Sequence, residues 1–285
     1  MIKLALTDLD DTLIRNGLPH VSERGSAAIH ALLDAGLHFA PVSGRIPSAM
    51  GWMFDYDEAL YACAALSNGQ MIYVDGRLVH AETISGELLE EVARMLTETG
   101  DTALCMYDVD APDENASGYF VSADGAHLDR MAARFRHIKG RAAHLSDPTY
   151  IKANIWCTGS RERLEHVRDE LRERFGELDF VFPSPTAPLI DISPHGWDKG
   201  TATRYLAGEL GYDLSEVAAF GDSENDLSML LAVPNSVAVA NASPEVARVA
   251  RWHIGPAADD AVADAIADIA RAAATGSMPS FMREA

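Results

Sequence analysis

Cysteine is scarce in this chain: Cys63, Cys105 and Cys157 are the whole complement of its 285 residues. An odd number of widely spaced thiols in apolar surroundings argues against a disulfide framework or a zinc centre, and reads as three reduced, buried side chains. Long apolar runs are also lacking. None approaches the ~20 residues of a membrane span, and Met1 leads into a first strand without the apolar stretch of a signal peptide, so a cytoplasmic protein is expected. There is no internal repeat and no low-complexity tract. Basic charge is short, with 23 Lys and Arg against 43 Asp and Glu, a formal net charge of −20 at pH 7. That balance argues against nucleic acid or an anionic membrane as partner, since both attract basic surfaces. A small phosphorylated molecule stays open, because charge beyond a Debye length of ~8 Å is screened and local groups decide binding.

What the chain does have is apolar content, 48% of its residues, enough for a sizeable core. Single cores stop growing near about 250–300 residues, which favours two domains. From Met1 to about His80, strands at Lys3–Thr7 and Leu37–Val42 alternate with a helix over Glu23–Asp34 that Gly36 ends, the pattern of a parallel α/β sheet. The character then changes. Ile84–Thr99 reads as a helix with Leu88, Leu89, Val92, Met95 and Leu96 on one face, Ala103–Tyr107 and Ile151–Cys157 as strands, and Arg161–Phe175 as a charge-rich helix with Leu164, Val167 and Leu171 inward. Asp108–Ser117, polar and acidic around Pro112, reads as a loop. An α+β module over 82–185, inserted into a core of 1–81 and 186–285, follows.

The chemistry is concentrated at strand ends. Lys3–Thr7 runs straight into Asp8-Leu9-Asp10-Asp11-Thr12, where open α/β sheets bind ligands. In extended backbone Asp8 and Asp10 point to the same side, close enough to share a divalent cation or to divide nucleophile and acid/base work. Near the other end Val217–Phe220 reads as a buried strand, Gly221 permits a sharp turn, and Asp222-Ser223-Glu224-Asn225-Asp226 follows, with Asn225 and Asp226 in the first turn of a helix begun near Glu224. An Asx turn or a helix cap explains either cluster alone; two strand-end clusters together point to a site. Ser43-Gly44-Arg45, after the strand Leu37–Val42, offers a hydroxyl, a backbone N–H and a guanidinium suited to phosphate oxygens, although Ser43 would equally cap the helix that Pro47 starts. Lys199 lies in a first helical turn against the macrodipole. That is expected where acids or an anion sit before it, and is also how an exposed lysine looks.

In this order, Asp8-Leu9-Asp10-Asp11-Thr12, Ser43-Gly44-Arg45, Lys199-Gly200 and Gly221-Asp222-Ser223-Glu224-Asn225-Asp226 resemble the four motifs of the haloacid dehalogenase (HAD) superfamily. Asn68-Gly69, the Asp75-Gly76 turn, Asp191-Ile192-Ser193-Pro194, Asn241-Ala242 and Pro244-Glu245-Val246 narrow the resemblance to its Cof-type sugar-phosphate phosphatases. Two positions and one segment depart from the pattern: Asp11 stands where many relatives have glycine, Ser43 where threonine is usual, and Ala257–Val262 follows the C-terminal acidic-glycine segment only loosely. The resemblance implies a Rossmannoid α/β core, its parallel sheet flanked by helices, with an inserted α+β cap. It also implies a Mg²⁺-dependent phosphohydrolase of small phosphorylated metabolites working through an aspartyl-phosphate. Asp8 is then the nucleophile and Asp10 the acid/base. The metal falls to Asp8, Asp10 through its carbonyl, Asp222 and Asp226, and the phosphoryl group to Ser43, Gly44, Lys199 and Asn225, with Arg45 and Asn68 as possible substrate contacts. A phosphomutase of the same superfamily and a catalytically silent ligand-binding protein are the alternatives. Arg134, Arg136, His137, Lys139 and His144 in the insertion suit either a substrate or solvent, and the sequence leaves monomer or homodimer open.

Overall fold

The computed structural model describes residues 1–15, 17–113 and 117–283. They divide into two units, one within residues 1–45, 50–80 and 198–283, the other within 46–49 and 81–197. In chain order the elements of the first segment are β1 (Leu4–Thr7), α1 (Glu23–Asp34), β2 (His38–Pro41), α2 (Pro47–Met53), β3 (Ala64–Leu66), β4 (Met71–Val74) and β5 (Arg77–Ala81). The middle segment holds β6 (Ile84–Ser85), α3 (Gly86–Thr99), β7 (Thr102–Tyr107), β8 (Gly118–Val121), α4 (Gly125–Arg134), β9 (Gly140–Ala142), β10 (Thr149–Tyr150), β11 (Lys152–Cys157), α5 (Arg161–Arg174), β12 (Leu178–Val181) and β13 (Leu189–Pro194). The last segment adds α6 (Lys199–Glu209), β14 (Val217–Gly221), α7 (Leu227–Ala232), β15 (Asn235–Ala238), α8 (Pro244–Val249), β16 (Trp252–His253) and α9 (Ala261–Thr275).

The first unit is built on a parallel sheet in the order β16-β15-β14-β1-β2. Every residue of β1 and β14 is buried, as strands covered on both faces must be. Their register pairs Thr7 with Phe220, so the two acid motifs leave the sheet side by side. Helix α1 has the bounds expected of it; Ser22 caps it by accepting from the Gly25 N–H, and Ala28, Ile29 and Leu32 face inward. A second, three-stranded sheet, β3-β4-β5, turns at Asp75-Gly76, both in left-handed conformation.

The second unit carries a six-stranded sheet, β12-β13-β11-β7-β8-β9, antiparallel except where β8 meets β9. Leu89, Val92 and Leu96 of α3 share one apolar cluster with Leu164, Val167 and Leu171 of α5 and with Ala153, Ile155 and Ile192 of the sheet. Two expectations are corrected here. The helix expected from Ile84 begins at Gly86, because Ile84 and Ser85 pair as β6 with β10 and Ser85 caps the helix. The boundary expected at 185/186 falls instead at Trp197, since β13 pairs with β11 and β12 and places 186–197 in the second unit. Of the expected loop Asp108–Ser117, residues 114–116 lie outside the described residues. The three cysteines are free and buried.

Candidate active site

Asp8 and Asp222 each stand immediately beyond a buried strand, β1 and β14, and the Asp8 N–H donates to the Phe220 carbonyl at 3.0 Å. The chain after Asp222 folds back through a short 3₁₀ turn, Glu224–Asp226, in which one Asp226 carboxylate oxygen accepts from the N–H groups of Asp222 (2.9 Å) and Ser223 (3.0 Å). Carboxylate oxygens of Asp8, Asp222 and Asp226 lie within 4.8 Å of one another, all three residues buried. Gly221 makes this possible by its lack of a side chain. A Cβ there would stand 2.6 Å from the Asp226 Cβ, while its φ is not in the left-handed region, so Gly221 supplies space and not the expected turn.

Lys199 answers this charge. Asp198 caps α6 by accepting from the Thr201 N–H at 2.8 Å, which aims the fully buried Lys199 ammonium between Asp8 (2.6 Å) and Asp226 (2.7 Å). Burial acts to strip its proton, but the charges of Asp226 and Asp8 outweigh burial and hold the ammonium above its ordinary range. One cation against three acids leaves the cluster short of positive charge. Burial pushes the Asp8 carboxyl well above its usual range and Lys199 draws it only part of the way back. Burial, then the Asp226 charge, pushes Asp222 up to about 6 against the hydroxyls of Ser223 and Thr12. Buried acids so placed favour a bound cation, and an all-oxygen, carboxylate-rich set fits a hard ion such as Mg²⁺.

Asp10 is elsewhere. The expected extended backbone is replaced by a tight turn, in which the Leu13 and Ile14 N–H groups donate to the carbonyls of Asp8 and Leu9. The Asp10 carboxylate is therefore outside the buried cluster and half exposed, and Arg45 grips it with Nε at 2.9 Å and Nη2 at 2.8 Å. Two candidates expected to act separately are joined to each other. Ser43 is buried and does not cap the helix from Pro47; its hydroxyl accepts from the Arg45 N–H at 3.2 Å, and its carbonyl from the Asn68 N–H at 2.8 Å. Asn68, at φ +56°, faces Asn225, whose Nδ2 donates to the Asn68 Oδ1 at 3.4 Å while its own Oδ1, buried, has no partner. Ser43, Gly44, Arg45, Asn68 and Asn225 thus form one wall of linked loops. In the second unit, His144 bonds Glu90 at 2.7 Å and the His137 ring lies 5.1 Å from that of Trp156.

Thr12 and Ser223 carry more than their positions in the sequence suggested. Their hydroxyls donate to the two oxygens of Asp222, at 2.9 and 2.8 Å. The signal was present in the first motif, a hydroxyl two residues after the second acid, but its partner lies 210 residues away.

A family model for haloacid dehalogenase-like hydrolases matches residues 5–266. The chain belongs to that family. The resemblance read from its four motifs is borne out, and so is the enzyme class, a HAD-type phosphatase. It is 27% identical over 253 residues to an HMP-PP phosphatase of Klebsiella pneumoniae, with 86% of this chain and 87% of that protein aligned. An HMP-PP phosphatase of Yersinia pestis is 25% identical over 260 residues, at 86% of each chain. In fold it matches SMU.1108c of Streptococcus mutans (TM-score 0.77, 18% identity, 93% of this chain and 98% of that one). It also matches a phosphatase of the HAD superfamily from Bacteroides thetaiotaomicron (TM-score 0.76, 19% identity, 93% and 94%). Among the described residues no helix is long and apolar enough to cross a membrane.

Proposed function

We propose that this HAD enzyme is a Mg²⁺-dependent phosphohydrolase of small phosphorylated metabolites, with Asp8 as the group that takes the phosphoryl. The observation that carries the reading is the buried trio Asp8, Asp222 and Asp226 around the Lys199 ammonium. Asp8 and Asp222, with the Asp10 carbonyl, would hold the metal, and Asp226 would orient a water on it. Bound there, Mg²⁺ supplies positive charge that offsets the repulsion between carboxylate and phosphate.

The chain's own groups do the rest. Lys199 holds one Asp8 oxygen and leaves the other to attack phosphorus, so that a P–O bond to Asp8 forms as the bond to the leaving oxygen breaks. Ser43, the Gly44 N–H, Lys199 and Asn225 steady the phosphoryl oxygens. Asp10 donates a proton to the leaving oxygen, then takes one from the water that attacks the phosphorus of the aspartyl-phosphate, releasing inorganic phosphate and restoring Asp8. For this the Asp10–Arg45 pair has to part, which gives Arg45 a second occupation as a substrate contact. The second unit carries none of these groups, and we assign to it the choice among leaving groups. All the required acids are present, which argues against a silent ligand-binding protein.

The relatives' names make HMP-PP the first compound to test, beside a panel of sugar and cofactor phosphates, by release of inorganic phosphate with Mg²⁺. Asp8→Asn keeps the shape and removes the nucleophile; it is expected to abolish release with an unchanged circular dichroism spectrum. Turnover surviving in that variant would make Asp8 a structural residue and end this reading.

A further inference from the structure

Asp11, between Asp10 and the buried Thr12, sits at φ +63°, a conformation that glycine adopts freely and that a side chain disfavours. Two backbone hydrogen bonds help to fix it. Its N–H donates to the Ile14 carbonyl at 2.8 Å, and its own carbonyl accepts from Asn241 Nδ2 at 2.8 Å. Asn241 is itself anchored, because its Oδ1 accepts from the Ala257 N–H at 2.9 Å. Two residues further on, the Ser243 N–H donates to the Asp222 carbonyl at 2.8 Å. One short connection between β15 and α8 therefore grips the backbone of both acid loops, and at the first of them it holds the residue whose conformation is unfavourable.

We propose that Asn241 is a positioning residue that keeps Asp11 left-handed and thereby aims the Asp10 carboxylate at the leaving oxygen. The proposal rests on the phosphatase reading for what Asp10 does. Without the Asn241 amide one of the hydrogen bonds that hold this left-handed backbone is lost. Relaxation of Asp11 to negative φ then swings the preceding peptide with it, moving the Asp10 carboxylate and also the Asp10 carbonyl proposed for the metal, whose weaker hold saturating Mg²⁺ offsets. Misplacement of a reacting group by ~1 Å is enough to cost about 10²-fold in rate. Asp8, immediately beyond β1, is anchored by its N–H to the Phe220 carbonyl and by its carboxylate to Lys199, and is not carried along. A glycine at position 11 would hold the same conformation unaided, so Asp11→Gly is the specific remedy for loss of Asn241.

Asn241 is exposed, so truncating it leaves no buried hole. The test compares wild type, Asn241→Ala, Asp11→Gly and the double variant on glycerol phosphate, whose leaving oxygen needs a proton, and nitrophenyl phosphate, whose does not, with Mg²⁺ saturating. Asn241→Ala is expected to lower kcat/KM, which ends at departure of the leaving oxygen, by about 10- to 100-fold more on glycerol phosphate than on nitrophenyl phosphate, and the double variant to recover most of the difference. Crystal structures of the single and double variants should show residue 11 at negative φ in the first and positive φ in the second. Equal losses of kcat/KM on both esters, no recovery with glycine, or Asp11 still at positive φ in Asn241→Ala would overturn the proposal. If the wild type releases phosphate from neither ester nor any compound of the panel, the phosphatase reading fails by itself, while the φ comparison still decides whether Asn241 holds Asp11.

Discussion

Lys199→Met is the perturbation that tests the site most directly, since methionine keeps the unbranched stem and much of the volume and removes only the charge. In the wild type the ammonium is fully buried at 2.6 Å from Asp8 and 2.7 Å from Asp226. Removing one partner of a buried ion pair costs about 3–5 kcal/mol, because the charge left behind has lost both water and counter-ion. In a unit of this size each 1 kcal/mol moves the midpoint by about 2–4 °C, so a fall of roughly 6–20 °C is expected at pH 7 in chelator.

The pH dependence separates charge from packing. Asp8 and Asp222 have folded pKa values above their unfolded ones, Asp222 at about 6 against 3.8. Between those values the folded state binds more protons, so these groups lower stability as pH rises through the window and cease to do so below it. Without Lys199 the acids are pushed further up and the slope steepens. Scanning calorimetry at pH 5 should therefore show less than half of the pH 7 deficit. Mg²⁺ should raise the midpoint more in the variant than in the wild type. An equal deficit at both pH values would show that Lys199 stabilises by packing, and the electrostatic account would be wrong.

Gly221→Ala places a Cβ 2.6 Å from that of Asp226, which Lys199 and two backbone N–H groups hold in place, so a loss of about 1–3 kcal/mol together with most phosphate release is expected; full activity would mean that the 222–226 turn yields freely. Chelator should abolish turnover and Mg²⁺ restore it, whereas Ca²⁺, which takes more ligands at looser geometry, should inhibit; full activity in Ca²⁺ would refute the metal assignment. A thiol reagent should label none of the three buried cysteines in the native protein and all of them after denaturation, since burial pushes the Cys105 thiol up to about 12; rapid native labelling would place a cysteine at the surface.

What the sequence made legible was local. Apolar runs ending in acids gave β1 and β14, and a segment ended by Gly36 gave α1 at about its observed bounds. Asp8, Asp222 and Lys199 could be singled out because acids after a buried strand, and a lysine at a helix start, conflict with local preference, and Asp226 because it shares the second cluster with Asp222. What stayed hidden depends on partners far along the chain. The six-residue strand β13 is indistinguishable by pattern from a core strand, and only its pairing with β11 and β12 moves 186–197 into the second unit. Helix α4 was missed because Gly125–Arg134 is short and polar, with only His127, Leu128 and Met131 buried along it.

Asp10 marks the limit most sharply. Period-two alternation predicts that it shares a side with Asp8 only while the strand continues, and the strand ends at Thr7. Past that point side-chain direction is set by the turn, and the turn is set by hydrogen bonds to Leu13 and Ile14 within the motif and to Asn241 outside it. The consequence is chemical as well as geometric. With Asp8 in the buried, metal-suited cluster and Asp10 outside it on Arg45, the two acids occupy different dielectric surroundings, and a single loop can present a nucleophile and a proton carrier without the two competing for one cation. Had the strand run on through Asp10, both carboxylates would have faced the same cluster, and a fourth acid would have deepened its charge deficit.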